Sequence, residues 1–177
     1  MSSVTSVFKF LLLPLFVLGL SGFSGCASYH LGTGAAAPGF HTLYIAPVKN
    51  SANLPLATAL VTARLREAFL QDGRLALANS PGEADAILTI SLAKYSRETL
   101  TEQANDTGLA RKLGLTLDAT ATLVDQRSGK VLFQDRKLTA ERQIFTDSGQ
   151  LLAEYDAMPL LAGVLAQKAV GAALDIW

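Results

Sequence analysis

Few side chains in this sequence combine a reactive type with a spacing that could do chemistry. The two histidines, His30 and His41, sit in or beside a Gly/Ala-rich stretch away from any predicted core, so a triad or metal site built on them would lack a rigid scaffold. Asp118 stands among Thr116, Thr120 and Thr122 with no base close in sequence. Glu83 and Asp85 flank a turn, where carboxylates are normally solvated. A hydrolase using Asp118 or Asp85 is the enzymatic reading these residues leave. Gly32-Thr33-Gly34 precedes alanines and a proline and follows no strand, so it fails the context a phosphate loop needs. One cysteine excludes an intramolecular disulfide and a zinc site of several thiolates. The sequence therefore implies no enzyme, no cofactor and no metal. Basic residues are the remaining candidates: Lys94 and Arg97 end one strand, Arg127 and Lys130 flank a hairpin, and Arg136, Lys137 and Arg142 follow on its return arm. If they converge, Lys94, Arg97, Lys130 and Arg136 could hold phosphates through charge-assisted hydrogen bonds. The alternative is an ordinary solvated face.

The lone cysteine, Cys26, stands at the end of an apolar run. Phe10 to Leu18 is too short to cross a bilayer, which needs about 20 residues. Lys9 precedes that run and small residues follow it, which is an export-signal pattern. Ser24-Gly25-Cys26 resembles the lipobox of bacterial lipoproteins, with Phe23 where that class usually has Leu. The resemblance implies a diacylglycerol on the Cys26 sulfur, removal of residues 1–25 and acylation of the new amine. Ala27 is not aspartate, which by the same resemblance implies the outer membrane. Each buried lipid CH₂ contributes about 0.8 kcal/mol, so more than one acyl chain anchors stably. Residues 26–41, rich in Gly, Ala and Ser, read as a tether that extends to roughly 50 Å.

Positioning elements are expected over 42–177. Leu43 to Val48 is a strand candidate with Pro47 at an edge or end. Lys49 to Asn53 is a turn with Asn53 as a helix N-cap, and Pro55 lies in the first turn. A helix follows to about Leu70, with Leu54, Thr58, Val61, Leu65 and Phe69 on one face and Gly73 as the stop. A second line, Leu56, Leu60, Ala63 and Leu70, is either scattered exposed leucine or a face covered by a partner protein. Arg74 to Ala78 is a short strand. Asp85 to Tyr95 alternates, 96–112 is a polar connection, and Leu113 to Val124 alternates again. A turn at 125–129 leads to a return strand from Lys130 to about Gln143. A last helix runs from about Pro159, which could open it but not sit inside it without a kink. The order gives an α+β two-layer sandwich: a mostly antiparallel four- to five-stranded sheet with two helices packed on one face.

Balanced charge, 15 basic against 15 acidic residues, leaves no footprint for nucleic acid. A 50% hydrophobic, 17% charged composition excludes intrinsic disorder.

The ordered run of short patterns resembles the LptE-type family of lipopolysaccharide (LPS) assembly lipoproteins. Gly25-Cys26-Ala27-Ser28-Tyr29-His30-Leu31 opens it, and Leu43-Tyr44-Ile45-Ala46-Pro47-Val48-Lys49-Asn50 follows. Ala84-Asp85-Ala86-Ile87-Leu88 with Lys94-Tyr95-Ser96 and the ending Ala173-Leu174-Asp175-Ile176-Trp177 complete it. The resemblance implies a periplasm-facing outer-membrane lipoprotein. Such a protein plugs and helps assemble the LPS-translocon β-barrel (LptD-type) and assists delivery of LPS to the outer leaflet. On that reading Leu56, Leu60 and Leu70 face the barrel, and Lys94, Arg97, Lys130 and Arg136 suit the phosphorylated sugar head. The other reading is a different small periplasmic lipoprotein, an activator or a secretion-apparatus component.

Overall fold

The computed structural model of the chain describes residues 39–55, 57–102, 110–147 and 149–175. The signal segment, Cys26, His30, Leu56 and Trp177 lie outside the described residues.

Alternating sequence builds the sheet. In β5 (Ala110–Asp125), Leu113, Leu115, Leu117, Ala119, Ala121 and Leu123 are all buried, while Thr116, Asp118, Thr120 and Thr122 between them are half-exposed. Its neighbours β4 (Ala86–Glu102) and β6 (Val131–Phe145) pair with it antiparallel. Asp125 closes the β5–β6 hairpin. Its carboxylate accepts the amide of Arg127 at 2.8 Å, and Gly129 supplies the left-handed residue at φ 68°.

On the other side of β4 the sheet turns parallel. β1 (Thr42–Ile45) lies along Ala86–Leu88, and β2 (Lys49–Asn50) lies along Ser91 and Leu92. β3 (Ala76–Leu77) pairs in parallel with β1. The path is β3-β1-β4-β5-β6, with β2 as a sixth strand beside β4. The two-layer α+β arrangement matches expectation, but the sheet is mixed and six-stranded. The cause is the β1–β3 connection, which passes through helix α1 (Ala57–Asp72): a helical crossover returns a strand in parallel, and a hairpin cannot.

Both helices cover one sheet face. Val61, Leu65 and Phe69 of α1 enter one continuous core with Leu161 and Leu165 of α2 (Gln150–Leu174) and with Leu43, Leu88, Ile90 and Leu115 of the sheet. The opposite face carries no helix among the described residues, so Thr89, Ser91, Thr120 and Thr122 meet solvent there. As expected, α1 stops at Gly73, whose φ of 72° lets its N–H reach the Phe69 carbonyl at 3.1 Å.

Four features differ from the sequence reading. Asn53 is not an N-cap. It has φ 51°, the helix begins at Ala57, and the turn is closed by the Asn50 side chain, whose Nδ2 donates to the Leu54 carbonyl at 2.8 Å.

The polar connection expected over 96–112 is mostly strand. A bulge at Ala93 shifts the register from Leu92↔Ala119 to Lys94↔Asp118. Beyond it Tyr95, Arg97 and Thr99 lie opposite Leu117, Leu115 and Leu113. One inserted residue swaps the two faces, so the apolar alternation fails although the ladder continues.

The last helix begins at Gln150, with Pro159 inside it. An interior proline costs roughly 3 kcal/mol; burial of Ala157, Leu161, Ala162 and Leu165 around it outweighs that cost. At 25 residues α2 is long and apolar enough to cross a membrane by length and composition, yet 56% of its most apolar window is buried within the fold.

Asp85 is not a solvated turn carboxylate: it is 8% exposed, the one buried charged residue among those described.

Candidate functional site

The fold sends the four candidate cations to different places. Lys94 follows the bulge, opposite Asp118, on the uncovered face. Arg97 lies beyond the bulge on the helix side; it sits 5.7 Å over the Tyr95 ring and pairs with Glu154 of α2 at 3.4 Å. Lys130 stands at the β5–β6 turn, at the other end of the sheet. Arg97 faces Leu115 and the turn begins at Asp125, so Arg97 and Lys130 are about 30 Å apart at the ~3.4 Å rise of a strand.

Arg136 lies opposite Ala121, and its guanidinium donates to the Ala172 carbonyl of α2 at 3.1 Å. Beside it the Lys168 ammonium donates to the Thr139 carbonyl at 2.5 Å. These two residues and Lys137 line a groove of about 440 Å³ between β6 and the end of α2, with Asp175 as its carboxylate. Arg136 and Lys168 each spend one donor on a carbonyl; an ammonium has three and a guanidinium five, so donors remain for an anion. Sequence reading missed Lys168, because only packing of α2 against β6 brings it beside Arg136.

A second groove, also about 440 Å³, runs between the two helices. Pro55, Ala59, Leu60 and Ala63 form one wall and Tyr155, Met158 and Pro159 the other. It contains one of the leucines expected at a partner face, Leu60. Leu70 is 65% exposed but ten positions further along α1, about 15 Å up the helix axis. The α2 wall escapes the sequence reading because Pro159 reads as a helix start, although Gln150–Met158 is rich in helix formers.

The two carboxylates considered for catalysis are both engaged. Asp85 Oδ2 accepts the amides of His41 at 2.9 Å and Thr42 at 3.0 Å, and its Oδ1 pairs with Arg127. Those amide bonds, with Arg127 nearby, pull its pKa down to about 2. Asp118 accepts the Thr139 hydroxyl at 2.7 Å on the uncovered face. Neither lines either groove. Of the histidines, His41 contributes its backbone and His30 lies outside the described residues. Among the described residues no three His, Cys, Asp or Glu side chains are grouped to hold a metal.

On the helix side, Tyr95 donates its hydroxyl to Glu154 at 3.1 Å. Burial, then the Glu154 charge, holds the phenol well above its usual pKa.

Residues 40–170 match the model of the family LptE, described as lipopolysaccharide-assembly. No curated protein matches the chain. Among solved structures, a hypothetical protein of Chlamydia trachomatis is similar at 12% identity with a TM-score of 0.55, covering 77% of this chain and 96% of its own. A protein of Xanthomonas campestris is similar at 18% identity and a TM-score of 0.54, covering 76% and 84%. At such identities the likeness is one of fold.

Proposed function

The chain belongs to the LptE family of lipopolysaccharide-assembly proteins, and from that premise we propose that it is a non-enzymatic outer-membrane lipoprotein. It plugs the LPS-translocon β-barrel, helps that barrel assemble and assists delivery of LPS to the outer leaflet. The observation that carries this reading is the extent of the match: residues 40–170 run from before β1 well into α2.

In this reading residues 1–25 are a lipoprotein signal, Cys26 carries the lipid, 26–41 tether it and 42–177 form the working domain. The uncovered sheet face, with Thr89, Ser91, Thr120 and Thr122, suits a polar barrel wall. Leu56, Leu60 and Leu70 contribute apolar contact with the barrel. Of the four candidate cations, which stand apart, Arg136 is the one that meets the phosphorylated head of LPS, with Lys168 beside it across the β6–α2 groove. The engagement of Asp85 and Asp118 in structural hydrogen bonds supports a role without catalysis.

Purification from detergent-solubilised outer membrane tests the reading. A stoichiometric β-barrel of LPS-translocon type is expected to accompany the protein, and its absence overturns the proposal.

A further inference from the structure

We infer that the first part of α2, Gln150–Met158, is a hinged arm that undocks as a unit at Pro159, latched by Glu154. This goes beyond the proposed plug role and does not rest on it.

Three observations carry it. The first is an asymmetry of burial. Between Gln150 and Met158 only Ala157 is buried, and Leu151, Leu152 and Tyr155 are 85%, 52% and 67% exposed. Beyond Pro159, Leu161, Leu165, Ala169, Val170 and Leu174 are all buried. Segments with few buried apolar contacts open at free energies well below the global one.

The second is the junction. Pro159 has no N–H, so the Tyr155 carbonyl receives no helical hydrogen bond from it. The ladder that would couple the two halves is interrupted where burial changes. At the other end the helix starts from Gly149 at φ 98° with no capping side chain, so its first amides lack that support.

The third is the latch. Glu154 Oε2 accepts the Tyr95 hydroxyl at 3.1 Å and Oε1 accepts Arg97 at 3.4 Å, both from β4 past the bulge. Gln150 donates to the same Oε1 at 2.8 Å and helps hold the carboxylate in place. Losing these bonds frees the arm without disturbing the core beneath Leu161–Leu174. Tyr155 and Met158 also wall the α1–α2 groove, so undocking widens it.

Hydrogen exchange followed by mass spectrometry on the purified full chain tests the arm. Amides of 151–158 are expected to exchange much faster than those of 161–174. Glu154→Ala should speed the arm roughly two- to tenfold, the change expected for about one hydrogen bond, and leave 161–174 unchanged. Pro159→Ala restores the missing N–H and should slow the arm. A shared exchange rate across α2 overturns the inference. So does a Glu154→Ala effect spread over the whole domain, or no slowing in Pro159→Ala.

Discussion

Asp85 and Thr42, 43 residues apart, hold each other by reciprocal hydrogen bonds: the Thr42 amide donates to Asp85 Oδ2 at 3.0 Å, and the Asp85 amide donates to Thr42 Oγ1 at 2.8 Å. The pair locks the start of β1 to the residue just before β4. Arg127, from the β5–β6 turn, closes over the same carboxylate. Three strand ends are thereby fixed at one corner of the sheet.

This corner gives the domain an acid-sensitive component. Asp85 has a folded pKa of about 2 against an ordinary aspartate value of 3.8, so its charged form favours the folded state. That contribution is fully present above about pH 4 and is lost as pH falls toward 2. Asp85→Asn should lower the urea midpoint at pH 7, and the gap from wild type should narrow at pH 3. A gap independent of pH would show that the charge contributes nothing.

Two glycines should respond to alanine with opposite sign. Gly163 is inside α2, and a Cβ placed there would meet nothing within 4 Å; Gly163→Ala should stabilise by about 0.5–1 kcal/mol. Gly73 is equally uncrowded but has φ 72°; Gly73→Ala should destabilise by about 1 kcal/mol, the cost of a left-handed L-residue. Chemical denaturation of the two variants reads both signs.

Leu65 and Leu70 separate stability from partner contact. Leu65 is fully buried, so Leu65→Ala should cost about 2–5 kcal/mol. Leu70→Ala should stay within about 0.5 kcal/mol in the isolated domain. If Leu70 faces the barrel, that variant co-purifies less of it at unchanged stability. Equal recovery removes Leu70 from the interface.

Replacing Lys94, Arg97, Lys130 and Arg136 together with glutamine should weaken LPS binding and flatten its dependence on salt. Titration of labelled LPS into the purified domain measures this. Undiminished binding would exclude these residues as the head-group contacts.

Cys26→Ala should move the protein from the membrane to the soluble fraction, because the acyl chains supply the anchoring energy. Full retention after fractionation would place the anchor elsewhere.

The amino-acid sequence by itself determined the elements whose apolar residues keep one period throughout. The inner residues of β5 from Leu113 to Leu123, the Val61–Leu65–Phe69 stripe and the Gly73 stop are all local signals, and each element formed where its period placed it. The sheet partners, the bulge at Ala93, the helix running through Pro159 and the burial of Asp85 depended on residues far apart in sequence. Hydrogen-bond ladders tolerate an inserted residue, packing outweighs a proline, and a carboxylate is buried only when distant amides and an arginine arrive together. Hence Lys168 stands beside Arg136 and Glu154 beside Tyr95 through tertiary contact alone, while the stripe and stop of α1 were written in neighbouring residues.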